Sequence, residues 1–142
     1  MTLDELQKQA EKDLKIDDVE LGDESLKTAN LHQKYLNIYN NFRQLQLMSD
    51  AQYRILYRKK WEYYGGKADP QIYRNNTFDH KILKQDIHIY LESDEELIKA
   101  KQKTEYNKIC MDSCERILKQ IQSRGWDIKN AIEWRKFVDG AI

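Results

Sequence analysis

One proline and five glycines in 142 residues leave few places where a helix must stop, which points to long helices rather than a compact, turn-rich domain. Only two cysteines occur, Cys110 and Cys114, four apart within a helical pattern and with no histidine nearby to complete a metal set. They read as small apolar residues of a helix interface in a reducing compartment, not as a metal or redox pair. No apolar run approaches the ~18 residues of a membrane span. The opening Met-Thr-Leu-Asp-Glu-Leu lacks the cationic and apolar regions of a secretory signal, so a soluble intracellular protein is expected. No glycine-rich loop leads into Lys-Ser or Lys-Thr, and this removes the phosphate cradle of an NTPase. Gly65-Gly66-Lys67 follows a helical pattern instead of opening one and has no hydroxyl residue to hold magnesium. The three histidines, His32, His80 and His88, have no Cys, Ser or paired carboxylate at catalytic spacing and read as surface or interface residues. No catalytic residue, cofactor or metal is expected.

Net charge is also missing, with 24 Lys and Arg against 24 Asp and Glu, but the charge is unevenly spread. Residues 1–53 carry 6 cations against 10 acids, residues 54–84 carry 8 against 3, and residues 85–142 carry 10 against 11. A cationic middle inside a neutral whole suits a local phosphate-binding surface on a protein that meets other proteins through acidic ones. A uniformly solvated surface is the plainer alternative.

The expected fold is all-α, with one short β element possible: an elongated antiparallel helical hairpin with short N- and C-terminal helices, assembling into a homo-oligomer. Thr2 and Glu5 have capping-box spacing, and Leu3, Leu6, Ala10 and Leu14 follow at helical intervals, predicting a helix over 3–14. Residues 15–22 break the period. From about Asp23 to Gly65 a second helix is predicted on Leu31, Tyr35, Ile38, Phe42, Leu45 and Leu56, interrupted by polar Ser49 and Gln52. At 1.5 Å per residue it extends ~60 Å, so a partner helix must cover its narrow stripe. Gly65 and Gly66 stop it, and Lys67–Thr77, with Asp69-Pro70 and Asn75-Asn76, reads as a basic, mobile loop. Phe78–Lys84 suits a helical turn, and Ile87, Ile89 and Leu91 alternate with His88 and Tyr90 like a short strand. Ser93 with Glu96 has capping-box spacing, and Asp94-Glu95-Glu96 complement the dipole of a helix running through Leu97, Ala100, Thr104, Asn107, Met111, Cys114, Leu118 and Ile121 to Gly125. Beyond it Trp126, Ile128, Ile132, Trp134, Phe137 and Val138 mark a short terminal helix, too aromatic for one hairpin to bury and read as a self-association or partner surface, with simple back-packing onto the hairpin as the alternative. A single domain over 1–142 is expected, with the cationic, phosphate-binding part in 1–92 and an assembly part in 93–142.

Cations and aromatics interleave in 54–67, at the end of the first long helix. Arg54, Arg58 and Lys60 fall on faces neighbouring Tyr57, Trp61 and Tyr64. Cations suit phosphates and flat rings suit unpaired bases, which together hold single-stranded nucleic acid without reading its sequence. Equally, Trp61, Tyr63 and Tyr64 can be core residues with the cations as their solvated edge. A non-enzymatic helical scaffold or adaptor that does not touch DNA is the alternative function.

The segment Arg-Lys-Lys-Trp-Glu-Tyr-Tyr-Gly-Gly at 58–66, and Ile-Gln-Ser-Arg-Gly-Trp-Asp-Ile-Lys at 121–129 with Arg135, Phe137 and Gly140 beyond, resemble the UvsY family of bacteriophage recombination mediators over nearly the whole chain. In that family the first segment reads Lys-Ala-Arg-Leu-Asp-Tyr-Tyr-Ser-Gly, and its two cations, matched here by Arg58 and Lys60, contribute to binding single-stranded DNA. The resemblance implies an enzymatically inactive protein, hexameric or heptameric, working in the cytoplasm of an infected bacterial host. Its implied partners are single-stranded DNA, a single-strand-binding protein that it loosens, and a RecA-like recombinase that it helps to load. The residues expected to meet DNA are Arg54, Arg58, Lys59, Lys60, Trp61, Tyr64, Lys67 and Arg74.

Overall fold

Thr2 begins the first helix as its sequence predicts. Its Oγ1 accepts from the Glu5 amide at 3.1 Å while its own amide donates to the Glu5 carboxylate at 3.0 Å, which opens α1 (Leu3–Asp13). The structure, a computed structural model, describes residues 1–140. After a short irregular stretch come α2 (Leu21–Tyr64), α3 (Pro70–Asn75), a 3-10 turn at Lys84–Asp86, α4 (Ile87–Ser93) and α5 (Glu95–Val138). There is no strand among the described residues, and no helix is long and apolar enough to cross a membrane.

Several details depart from the sequence reading, and residues 78–83, read as part of a helical turn, are irregular up to the 3-10 turn. The stretch expected to be a loop over Lys67–Thr77 contains α3, because Asp69 accepts from the Gln71 amide at 3.0 Å as an N-cap and Pro70 takes the first helical turn. The suspected strand at 86–91 is α4: Ile87 and Leu91, four apart, are buried, whereas Ile89 is exposed. Alternation and helical spacing share that i, i+4 pair, and packing selects the helix. Asp94, not Ser93, caps α5, accepting from the Leu97 amide at 3.0 Å, while the Ser93 hydroxyl bonds back to the Ile89 carbonyl at 2.8 Å. Finally, α5 does not end at Gly125 and no separate terminal helix follows. Interior glycine costs about 1 kcal/mol, but Arg124 and Ile128 on either side are both buried and carry the helix through.

The chain forms two compact units, Met1–Phe42 with Ile109–Ile142, and Arg43–Lys108. In the first, Leu6 and Ala10 of α1 pack with Tyr35 and Phe42 of α2 and Cys110, Cys114, Ile117 and Ile121 of α5. The steps of four and three on α5 keep one face turned inward. Burial pushes the Cys114 thiol up to about 11, as suits a small core residue. The pairs Glu24 with Arg124 and Tyr39 with Glu115 show that α2 and α5 run antiparallel here. Arg124 is sealed from solvent and donates to the Glu24 carbonyl (2.7 Å), to Thr28 Oγ1 (3.0 Å) and to the Glu24 carboxylate.

In the second unit Ile87, Leu91 and Leu97 form the buried cluster, flanked by Tyr53, Leu56, Tyr64 and Ile82. The polar break at Ser49 is matched across the helix pair: Ser49 Oγ lies 2.8 Å from Thr104 Oγ1 and accepts from Asn107 Nδ2 at 3.2 Å. The buried hydroxyls and amide therefore satisfy one another.

Candidate nucleic-acid interface

Arg54, Arg58 and Trp61 are separated by four and three residues, so they share a stripe along the last turns of α2. The helix closes on Gly66, whose φ of +73° is strained for any residue with a Cβ. The Gly66 amide donates to the Tyr63 carbonyl (3.2 Å) and the Lys67 amide to the Glu62 carbonyl (2.8 Å). This turn brings the Lys67 ammonium to 4.7 Å from the centre of the Trp61 ring. Trp61 itself is 40% exposed.

The segment after the turn is tied back onto the helix end. The Tyr73 hydroxyl lies 2.7 Å from the Tyr63 carbonyl and 3.3 Å from that of Glu62, and accepts from the Ala68 amide at 3.2 Å. It thereby adds a side-chain donor to the two carbonyls that the Gly66 and Lys67 amides already serve in the closing turn. Tyr63 stacks on Tyr73 (5.4 Å, 16°), and Phe78 meets Tyr63, Tyr64 and Tyr90. Tyr64 turns inward and donates to Asp94 at 2.5 Å. Burial, then Asp94, raises its phenol well above the ordinary value. Burial works against charge on Asp94. Hydrogen bonds from Tyr64 and the Leu97 amide, with Lys60, outweigh it and hold the carboxyl below its usual range.

The expected contact residues thus separate into two groups. Lys59, Lys67 and Arg74 are exposed and make no ion pair among the described residues. Arg54 and Arg58 are exposed beside helix neighbours, Arg54 at 3.0 Å from Asp50 and Arg58 at 3.8 Å from Glu62. Such solvated pairs are weak. Lys60 and Tyr64 belong to the second group. The Lys60 side chain is only 20% exposed, and its ammonium lies 3.2 Å from Asp94 and 3.4 Å from Glu96. Both open alternatives for the aromatics therefore apply, to different rings: Trp61 faces solvent, and Tyr63 and Tyr64 pack. Asp94, Glu96 and Tyr73 were not singled out for this region. An Asp-Pro helix start at 69–70 signalled α3 and with it Tyr73, but no local pattern joins Lys60 to acids more than thirty residues away.

Of the terminal set, Ile128 is buried and Ile132 half-buried, whereas Trp126, Trp134, Phe137 and Val138 are exposed. Trp134 and Phe137 stack at 5.7 Å, and the Lys129 ammonium sits 5.3 Å from the Trp126 ring. No group of His, Cys, Asp and Glu among the described residues could hold a metal ion.

Residues 9–141 match the family model described as "Recombination, repair and ssDNA binding protein UvsY". The "Recombination protein uvsY" of Enterobacteria phage T4 is 28% identical over 140 residues, covering 99% of each chain. Crystal structures of the bacteriophage T4 recombination mediator protein UvsY superpose with TM-scores of 0.87 in lattice type II, at 27% identity and 98% coverage of both chains, and 0.76 in lattice type III, at 25% identity with 98% of this chain and 99% of that one covered.

Proposed function

This chain belongs to the UvsY family of recombination, repair and single-stranded DNA binding proteins, and on that premise we propose that it is a phage recombination mediator whose work is binding rather than turnover. One observation carries the assignment of the site: at the end of α2 the exposed Trp61 ring, with the Lys67 ammonium beside it, adjoins the solvent-facing Arg58 and Lys59. A base stacking on the indole meets π-surface and positive charge together while neighbouring phosphates meet the cations, and neither contact depends on base identity. Arg54 and Arg74 extend the cationic surface. Lys60 stands at its edge, held between Asp94 and Glu96.

A few phosphate contacts bind weakly at cellular salt, so repetition of the patch in a homo-oligomer, a hexamer or heptamer, supplies affinity by multivalency. Trp126, Trp134, Phe137 and Val138 are the surface we assign to self-association, with Ile128 and Ile132 anchoring that stretch of α5. In the cytoplasm of an infected bacterium, such an assembly loosens a single-strand-binding protein and helps a RecA-like recombinase load. The adaptor alternative has the same helices but no role for the cations.

Fluorescence anisotropy of a labelled oligothymidine and of a mixed-sequence strand, over a salt series, separates the two. Arg58→Ala with Lys59→Ala is expected to weaken both strands alike and to flatten the salt dependence by about 0.7 in log–log slope per cation removed, with the light-scattering mass unchanged. An unaltered affinity and slope assign binding elsewhere.

A further inference from the structure

Two acids reach Lys60, and they differ in everything else. Asp94 is nearly sealed from solvent and already serves the Tyr64 hydroxyl and the Leu97 amide, so it is built into the fold. Glu96 has a side chain 68% exposed, and its carboxylate is 3.4 Å from the Lys60 ammonium. The dipole of α5 accounts for acids in this turn, but not for why one of them spans to a cation of α2. Its neighbour Glu95 lies in the same first turn, is exposed, and makes no ion pair among the described residues. Glu96 also lines a cleft of about 340 Å³ whose other walls include Lys59, Lys60, Tyr63 and Ile72. An exposed carboxylate is thus, among the described residues, the one acid lining a cleft that also holds two lysines and two tyrosines, against the ammonium that a phosphate would seek.

We infer that Glu96 is an intramolecular stand-in for a DNA phosphate, occupying Lys60 until a strand displaces it and so setting the affinity and salt dependence of single-strand binding. The inference rests on the reading of this surface as the DNA site. Asp94 holds Lys60 in position throughout, so displacing Glu96 does not leave the lysine adrift. The Glu96 end of this pair is solvated, its side chain 68% exposed, so water already competes for that carboxylate and a phosphate can replace it, and a protein that must pass a strand onward gains from contacts that reverse easily.

The test compares E96Q with E95Q, which removes the same charge from the same turn without touching Lys60, in oligothymidine anisotropy titrations across a potassium chloride series. E96Q should bind about two- to five-fold more tightly per site, with a salt slope steeper by about 0.7, and E95Q should match the unsubstituted protein. Equal effects of the two variants would reduce Glu96 to general electrostatics and overturn the proposal, as would no effect of either. Failure of the underlying site assignment looks different: the unsubstituted protein would not bind, or would bind without sensitivity to Arg58 and Lys59. Helical circular dichroism of E96Q, expected unchanged, separates altered binding from altered folding.

Discussion

Met1–Phe42 with Ile109–Ile142 carries 11 Lys and Arg against 14 Asp and Glu, and Arg43–Lys108 carries 13 against 10, although the same two helices run through both units. The acidic unit turns key charges inward. Arg124 is sealed against Glu24, and Asp13 receives both Lys34 (2.7 Å) and the buried Tyr35 hydroxyl (2.8 Å). Around these lies an apolar layer of Leu6, Phe42, Ile117 and Ile121 with two thiols. The basic unit buries less aliphatic surface and relies on aromatic contacts and a hydroxyl–amide layer. Its uncommitted cations stay in solvent. A continuous helix can therefore serve as core along one stretch and carry solvent-exposed cations along another, because burial is decided by what packs against each turn.

If the contrast is right, the largest effect should come from the core of the acidic unit. Ile121→Ala should lower unfolding free energy by about 2–5 kcal/mol in urea titrations. The folded fraction should still bind single strands with an unchanged salt slope, and a changed slope would break the division of labour. pH should sharpen the same comparison next. Asp13 and Glu24 in one unit and Asp94 in the other are held below their ordinary values, so the unfolded chain binds more protons as acid is added. Their stabilisation is present above the ordinary carboxylate range and lost as pH falls through the folded values. Tyr35 and Tyr64, one from each unit, are raised above the ordinary 10.0. Their contribution is present below pH 10.0 and lost as pH rises beyond it. Urea midpoints measured against pH should fall at both ends, and Tyr64→Phe should remove part of the alkaline loss. The smallest effect belongs to Gly125→Ala. The position is helical with nothing within 4 Å of an added Cβ, so stability should rise by about 0.5–1 kcal/mol, read as a higher Tm with DNA binding untouched.

Much of this architecture was legible in local patterns. Thr2 with Glu5, the stripe Leu31, Tyr35, Ile38 and Phe42, and Gly66 as a stop each depend on residues within one or two turns, and each took the predicted form. The errors arose where two local signals competed. Ile87 and Leu91 satisfy both a strand and a helix, Ser93 and Asp94 both offer a capping oxygen, and Gly125 weakens a helix that buried neighbours then sustain.

The candidate site was legible as composition but not as arrangement. Interleaved cations and rings made the end of α2 the candidate. Their residue types alone could not say that Trp61 would stay in solvent while Tyr63 and Tyr64 joined Phe78 and Tyr90 in a ring cluster.

The order of residues by itself determined the long helices, their stripe and the concentration of positive charge, because backbone hydrogen bonding, capping and side-chain periodicity act over a few positions. Tertiary structure alone decided which cations are available. Lys59 and Lys60 are adjacent and chemically identical, yet one is solvated and the other lies between Asp94 and Glu96. That difference comes from a helix more than thirty residues further along, and a Coulombic partner matters only once folding has brought it within a few ångströms.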